Sequence, residues 1–198
     1  MYELPISIFV EDEEYKIRNS GDYRMVLDCL EALEDTNLKP LERIYSGLII
    51  FYEDFVDVDD ILNVPRETVE ELIEKMFLFF NLNEETDDSQ KEKPKLVNWQ
   101  ADEALIISAI NHVAGKEVRA EAYIHWWTFI AYYMAIGECS LSTVVGIRDK
   151  IAKGKKLEKH EKEFRANNPK YFNNIDLRTK SQKANDEWAR SVWNRGKG

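Results

Sequence analysis

The residues with the most chemical potential in this chain are three histidines, two cysteines and one dense run of carboxylates. His112, His125 and His160 stand apart, with no His-Glu-x-x-His and no pair at the i, i+4 spacing that puts two imidazoles on one helix face for a metal. Cys29 and Cys139 are far apart, with no Cys-x-x-Cys pairing, so neither a zinc knuckle nor a disulfide framework is indicated and a reducing compartment fits best. Glu53, Asp54, Asp57, Asp59 and Asp60 crowd enough carboxylates together to attract a hard cation. They lack the alternating oxygen ligands, central Gly and terminal Glu of an EF-hand loop, and a solvated helix end explains them more simply. A phosphate-cradling Gly-rich loop, a Gly-x-Ser-x-Gly elbow and a Cys/His nucleophile pair are all absent. The expectation is a protein that is not an enzyme, with no catalytic residue, metal or cofactor.

The elements that would carry these residues are mostly helical. The 198 residues are 44% hydrophobic and 12% aromatic, enough to build a sizeable core in one or two domains. Ile6–Val10 and Tyr15–Ile17 flank the acidic stretch Glu11–Glu14 and read as a small β-hairpin. Met25, Val26, Cys29, Leu30 and Leu33 recur at the three-one spacing of a helix face. After Lys39-Pro40, residues Leu41–Phe55 give a second helix, and Pro65 opens a third that carries Val69, Leu72, Ile73, Met76, Phe77 and Phe80. Asn98 suits the cap of a helix over Trp99–Ala114, and Val118–Ile136 reads as one long, nearly all-apolar helix. Another follows from about Leu141 into the basic segment, and beyond Gly154 the apolar pattern thins to Leu157, Phe164, Tyr171, Phe172, Ile175, Trp188, Val192 and Trp193, so a short last helix is expected in the tail. The fold class is thus mainly α, a helical bundle-like protein with an N-terminal β-hairpin. Its expected divisions are a lobe at 1–82, a polar linker at 83–95, which has no apolar side chain, a second lobe at 96–153, and a basic, partly ordered tail at 154–198.

Charge is unevenly spread. Residues 148–198 hold 15 Lys/Arg against 7 Asp/Glu, a balance of +8, whereas residues 1–147 hold 12 against 30, a balance of −18. A basic arm on an acidic body suits nucleic acid, an acidic partner or a neighbouring copy of the chain. Glu158, Glu161 and Glu163 interleave with the lysines, however, which favours pairing along an exposed helix over a phosphate track. The N-terminus has no basic region before an apolar run, and no run reaches the roughly 18–20 residues that cross a bilayer, so neither export nor a membrane is expected.

One stretch is distinctive: Tyr123-Ile124-His125-Trp126-Trp127-Thr128-Phe129, followed by Ile136-Gly137 and by Thr143-Val144-Val145-Gly146-Ile147-Arg148-Asp149-Lys150. It resembles the bacteriophage Gp15 family of tailed phages of Gram-positive hosts. Trp99-Gln100-Ala101-Asp102 with Ile106 and Ala109 resembles that family's acidic entry to the His-Trp-Trp helix. Pro5, Ile8, Val10, Tyr15-Lys16-Ile17 and Asp22-Tyr23-Arg24 resemble its opening hairpin and its Asp-aromatic-Arg helix start. Residues 111–118 lack the Gly-Ile-Asp-Leu type of connection associated with the family, and the segment after Pro169 has no counterpart.

The resemblance implies a tail-assembly protein of the host bacterial cytoplasm. It would chaperone the tape-measure protein, help recruit tail-tube subunits and associate with copies of itself. Two other classes remain: a structural virion component, such as a connector or tail subunit joined through the hairpin edge, and an accessory protein that binds nucleic acid through the basic tail. Trp126, Trp127, Tyr123 and His125 are the candidate protein-binding residues. The plainer reading of the two tryptophans is that they are core aromatics.

Overall fold

The computed structural model describes residues 3–84, 93–173 and 175–177. The expected linker therefore lies mostly outside the described residues, as does the end of the basic tail, residues 178–198, with Trp188, Val192 and Trp193. Among the described residues the fold is mainly α, with eight α-helices and one two-stranded sheet. Contacts divide the chain into two compact units that interleave along the sequence. The first takes residues 1–86 and 114–135, and the second takes residues 87–113 and 136–198. The double-Trp segment thus belongs with the N-terminal lobe.

In the first unit, β1 (Ser7–Val10) and β2 (Glu13–Lys16) pair antiparallel with Val10 opposite Glu13, so only Glu11 and Asp12 turn the chain. The apolar pattern puts the second run at Tyr15–Ile17, so the strand starts two residues earlier and ends one residue earlier than expected. Helix α1 (Tyr23–Glu34) packs on α2 (Pro40–Phe51) and buries Met25, Val26 and Cys29, whose Sγ lies 3.5 Å from Gly47 O. Gly47 permits the close approach, since a Cβ there would stand 3.1 Å from Leu33 Cδ2.

Helix α2 stops four residues before the expected Phe55. The Arg18 Nη2 donates to the carbonyls of Ile49, Tyr52 and Phe55 at 2.8–3.0 Å, and the Glu53 amide turns away to the Lys16 carbonyl. A guanidinium on the last carbonyls of a helix also lies at the negative end of its dipole. The acidic run then begins α3 (Val58–Leu62): Asp57 accepts from the amides of Asp59 and Asp60, while Asp60 accepts from those of Val56 and Asp57. Helix α4 (Arg66–Phe80) buries Leu72, Met76, Phe79 and Phe80, with Pro65 as its cap.

The expected long helix over Val118–Ile136 does not form. A 3-10 turn covers Val118–Ala120, residues Glu121–His125 run outside any helix, and α6 (Trp126–Met134) is only nine residues long. Apolar content misled here, because Ile124 is committed elsewhere through both of its backbone groups, as described below.

The second unit contains α5 (Glu103–Ala114), α7 (Ser140–Ala152) and α8 (Lys159–Asn167). Helix α5 starts four residues after the expected Trp99, because Asn98 Oδ1 caps a separate turn by accepting from the amides of Gln100 and Ala101. Its core gathers Ile106, Ile110, Leu141, Val144 and Ile147 around one buried ion pair, Asp102 with Arg148. None of the described helices is long and apolar enough to cross a membrane.

Candidate functional site

The candidate residues meet at the C-terminus of α4. A helix leaves its last four carbonyls without intrahelical partners. Here the Leu82 amide returns to Phe79 O and the Asn83 amide to Leu78 O, a Schellman closure that puts Leu82 at φ 59° and Asn83 at φ 60°. Glycine is the usual residue for that conformation, so the closure needs help. Two indoles supply it: Trp126 Nε1 donates to Phe80 O at 3.0 Å, and Trp127 Nε1 donates to Phe79 O at 2.9 Å. The motif is thus a clamp, in which consecutive tryptophans at the start of α6 cap the end of α4. Trp126 is 3% exposed and Trp127 half-buried.

His125 caps α6 itself. Its Nδ1 accepts from the Trp127 amide at 3.1 Å, and its Nε2 lies 3.0 Å from Pro5 O. An amide can only donate and a carbonyl can only accept, so the ring is neutral with its proton on Nε2. Burial lowers the imidazole pKa from its ordinary value, and the Pro5 carbonyl opposes that shift. With both nitrogens engaged and the ring 1% exposed, His125 cannot exchange protons with a ligand while this geometry holds.

The approach to the clamp is fixed from α1. Asp22 caps α1 by accepting from the Arg24 amide, and its other oxygen accepts from the Ile124 amide at 3.0 Å. The Tyr23 amide donates back to Ile124 O at 2.9 Å, which explains why residues 121–125 stay out of a helix. Arg24 pairs with Asp22 at 3.1 Å and donates to Glu121 O at 2.7 Å. The Tyr23 ring stacks on Phe129 at 4.2 Å.

Gly21, at φ +78°, sits under the clamp, where a Cβ would come within 3.0 Å of His125 Nε2 and Phe79 Cζ. Asn19 and Ser20 before it also have positive φ, and Tyr123 holds this turn by donating to Ser20 O at 2.8 Å. Tyr123 is nonetheless 46% exposed.

The structure therefore brings His125, Trp126 and Trp127 to one helix end, with Tyr123 on the adjoining turn. Their polar groups work inside the fold, as the core-aromatic reading of the tryptophans expects, and Trp127 and Tyr123 keep part of their rings at the surface.

Sequence reasoning missed Asp102 and Arg148 as a pair. Both carboxylate oxygens of Asp102 receive the guanidinium, at 2.6 and 2.8 Å, and Arg148 also donates to the carbonyls of Leu96 and Tyr171. A signal was present. Arg148 falls on the same helical spacing as the apolar Val144, Ile147 and Ile151, an unusual place for a charge without a partner. Among the described residues no group of three or more His, Cys, Asp or Glu is arranged to hold a metal ion.

The segments that carry these contacts are also those that mark the family. The family model described as bacteriophage Gp15 protein matches residues 1–172, which include both the clamp and the buried ion pair. No curated protein and no solved structure matches the chain. With the match spanning most of its length, the chain belongs to the bacteriophage Gp15 family and so to the structural and assembly proteins of phages.

Proposed function

We propose that this protein is a tail-assembly chaperone of a long-tailed phage of a Gram-positive host. It works in the host cytoplasm without being an enzyme. It binds the tape-measure protein and helps recruit tail-tube subunits. A tape-measure protein is very long, helical and prone to aggregate, so a chaperone must cover apolar stripes through contacts weak enough to be released, made effective by many copies on one ligand.

Family membership supports the reading at the level of a phage assembly protein. The observation that carries it further is the surface left around the clamp. The polar atoms of the motif are spent internally, while Tyr123 at 46% and Met134 at 68% exposure present apolar side chains at the two ends of the double-Trp segment, with half-buried Trp127 between them. Such surface suits shallow contact with an amphipathic helix better than it suits catalysis.

A structural virion component is the second reading. Leu4, Ile6 and Phe9, all more than 40% exposed on and beside β1, favour it, because an apolar strand at a sheet edge is a template for another chain. The deciding experiment is a pull-down of tagged protein from infected cells, with purified virions examined in parallel by mass spectrometry. The chaperone reading expects tape-measure enrichment and no copy in virions. Stoichiometric presence in virions without that enrichment would replace it with the structural reading.

A further inference from the structure

Two surfaces on this chain are complementary in charge and in apolar character, and neither meets an opposite charge among the described residues of its own unit. The first is a cavity of about 340 Å³ in the second unit, between α8 and the turn at Pro169–Tyr171. Its apolar wall is Leu157, Ala166, Pro169 and Phe172, and its cations are Lys162 and Arg165. The acidic residues of α8 and its cap are already engaged: Glu161 binds Lys150 at 2.6 Å, the cap Glu158 faces Lys150 and His160, and Glu163 faces Lys159. Lys162 and Arg165 have no carboxylate partner among the described residues. A cavity of this size, near the roughly 300 Å³ lower end for sites that hold a small ligand, admits aliphatic side chains.

The second surface is a projection on the first unit, over residues 53–62. Val56 is 78% exposed, Leu62 63% and Val58 41%, and Val58 and Leu62 share a face of α3 at i, i+4. Around them stand Glu53, Asp54, Asp57, Asp59 and Asp60. Asp54, Asp57 and Asp60 accept backbone amides, but none of the five faces a Lys or Arg among the described residues. An apolar projection ringed with unpaired carboxylates and an apolar cavity rimmed with unpaired cations match in both respects.

We propose that the cavity at Lys162 and Arg165 of one copy receives the acidic apolar projection at Val56–Leu62 of a second copy. The contact is heterologous, since the two surfaces are different patches of the same chain. Repetition then gives a closed ring or an open string of copies rather than a two-fold dimer. Because part of its attraction is between exposed charges, the contact weakens as salt is added. This inference does not rest on the chaperone reading, since it concerns the purified protein with no tape-measure partner.

The test uses the full chain in sedimentation experiments from about 10 μM to 500 μM, a range that reports contacts of micromolar to sub-millimolar affinity. The wild-type average mass is expected to rise with concentration beyond that of a dimer and to fall when salt is added. Lys162→Glu/Arg165→Glu closes the cavity to an acidic partner, and Asp59→Asn/Leu62→Ser blunts the projection. Each is expected to weaken self-association by roughly tenfold or more, with circular dichroism unchanged. Mixing the two variants is the discriminating arm, because one intact projection and one intact cavity remain. A 1:1 heterodimer that grows no further is expected. A monomeric wild type overturns the proposal, as do variants that associate like wild type or a mixture with no heterodimer. If either pair unfolds, Val56→Ser and Arg165→Gln replace it in the same mixture.

Discussion

His125 is held neutral by geometry: its Nδ1 faces an N–H donor and its Nε2 a carbonyl, so a second proton would have to sit against the Trp127 amide. The folded protein therefore resists protonation below the ordinary imidazole value of 6.5, while the unfolded chain accepts a proton there. In that interval the unfolded state binds more protons, so stability is full above about pH 7 and falls as the pH drops below 6.5. Urea titrations between pH 7.5 and 5.5 should show this decline, with a slope of at most about 1.4 kcal/mol per pH unit from this group. His125→Asn keeps a capping oxygen for the Trp127 amide and loses the Pro5 contact. It should start about 1 kcal/mol less stable at pH 7.5 and show a shallower decline, so an equal slope in both proteins would dismiss the account.

Asp102 and Arg148 present the opposite case, two charges kept in the interior because each answers the other, with side chains 0% and 1% exposed. Asp102→Asn leaves a buried guanidinium without its counter-charge, which should cost about 3–5 kcal/mol in urea unfolding. Adding Arg148→Met to it should cost less than the two single changes summed, because the first loss already strands the second group.

At the scale of the element, the indoles of Trp126 and Trp127 act on a helix other than their own. Replacing Trp127 by Phe keeps most of the ring and removes the donor to Phe79 O, so about 1 kcal/mol should be lost. Trp126→Phe should cost more, about 2 kcal/mol, because Trp126 is buried and the smaller ring also leaves a void. Urea midpoints measure both. If Trp127→Phe matched wild type in stability, the capping role would be reduced to packing. These expectations also show what could be read beforehand. Helical spacing located α1 and α4 because each buries one stripe on neighbours, and the hairpin showed in its two β-prone runs. Apolar content at 118–136 did not indicate where helix gives way to extended chain. That boundary is set by Asp22 and Tyr23, about a hundred residues away, whose contacts with the Ile124 backbone follow no local periodicity. The end of α2 was hidden for the same reason, since Arg18 fixes it from outside the helix. At the site, the four residues were legible as a cluster through the family motif, but their polar roles needed the carbonyls of Phe79 and Phe80 to be placed.

At the scale of the whole molecule, each unit is assembled from two separated stretches of chain, so neither stretch holds a complete core. Residues 1–86 alone contain α1 to α4 but lack the Tyr23 partner Phe129, the Asp22 partner Ile124 and both indoles over the end of α4. Losing one buried aromatic typically costs about 3–5 kcal/mol, and a domain's whole stability is about 5–15 kcal/mol. Here Trp126 and Phe129 are lost together. A fragment of residues 1–86 should therefore give a broad urea transition and reduced helical circular dichroism per residue. Joining residues 114–135 to it through a flexible Gly/Ser linker should restore a single sharp transition, and His125→Pro in the joined fragment should abolish it again by removing both the cap and the ring's contacts. If residues 1–86 unfolded as sharply as the joined fragment, the clamp would be an ornament on a lobe that folds without it.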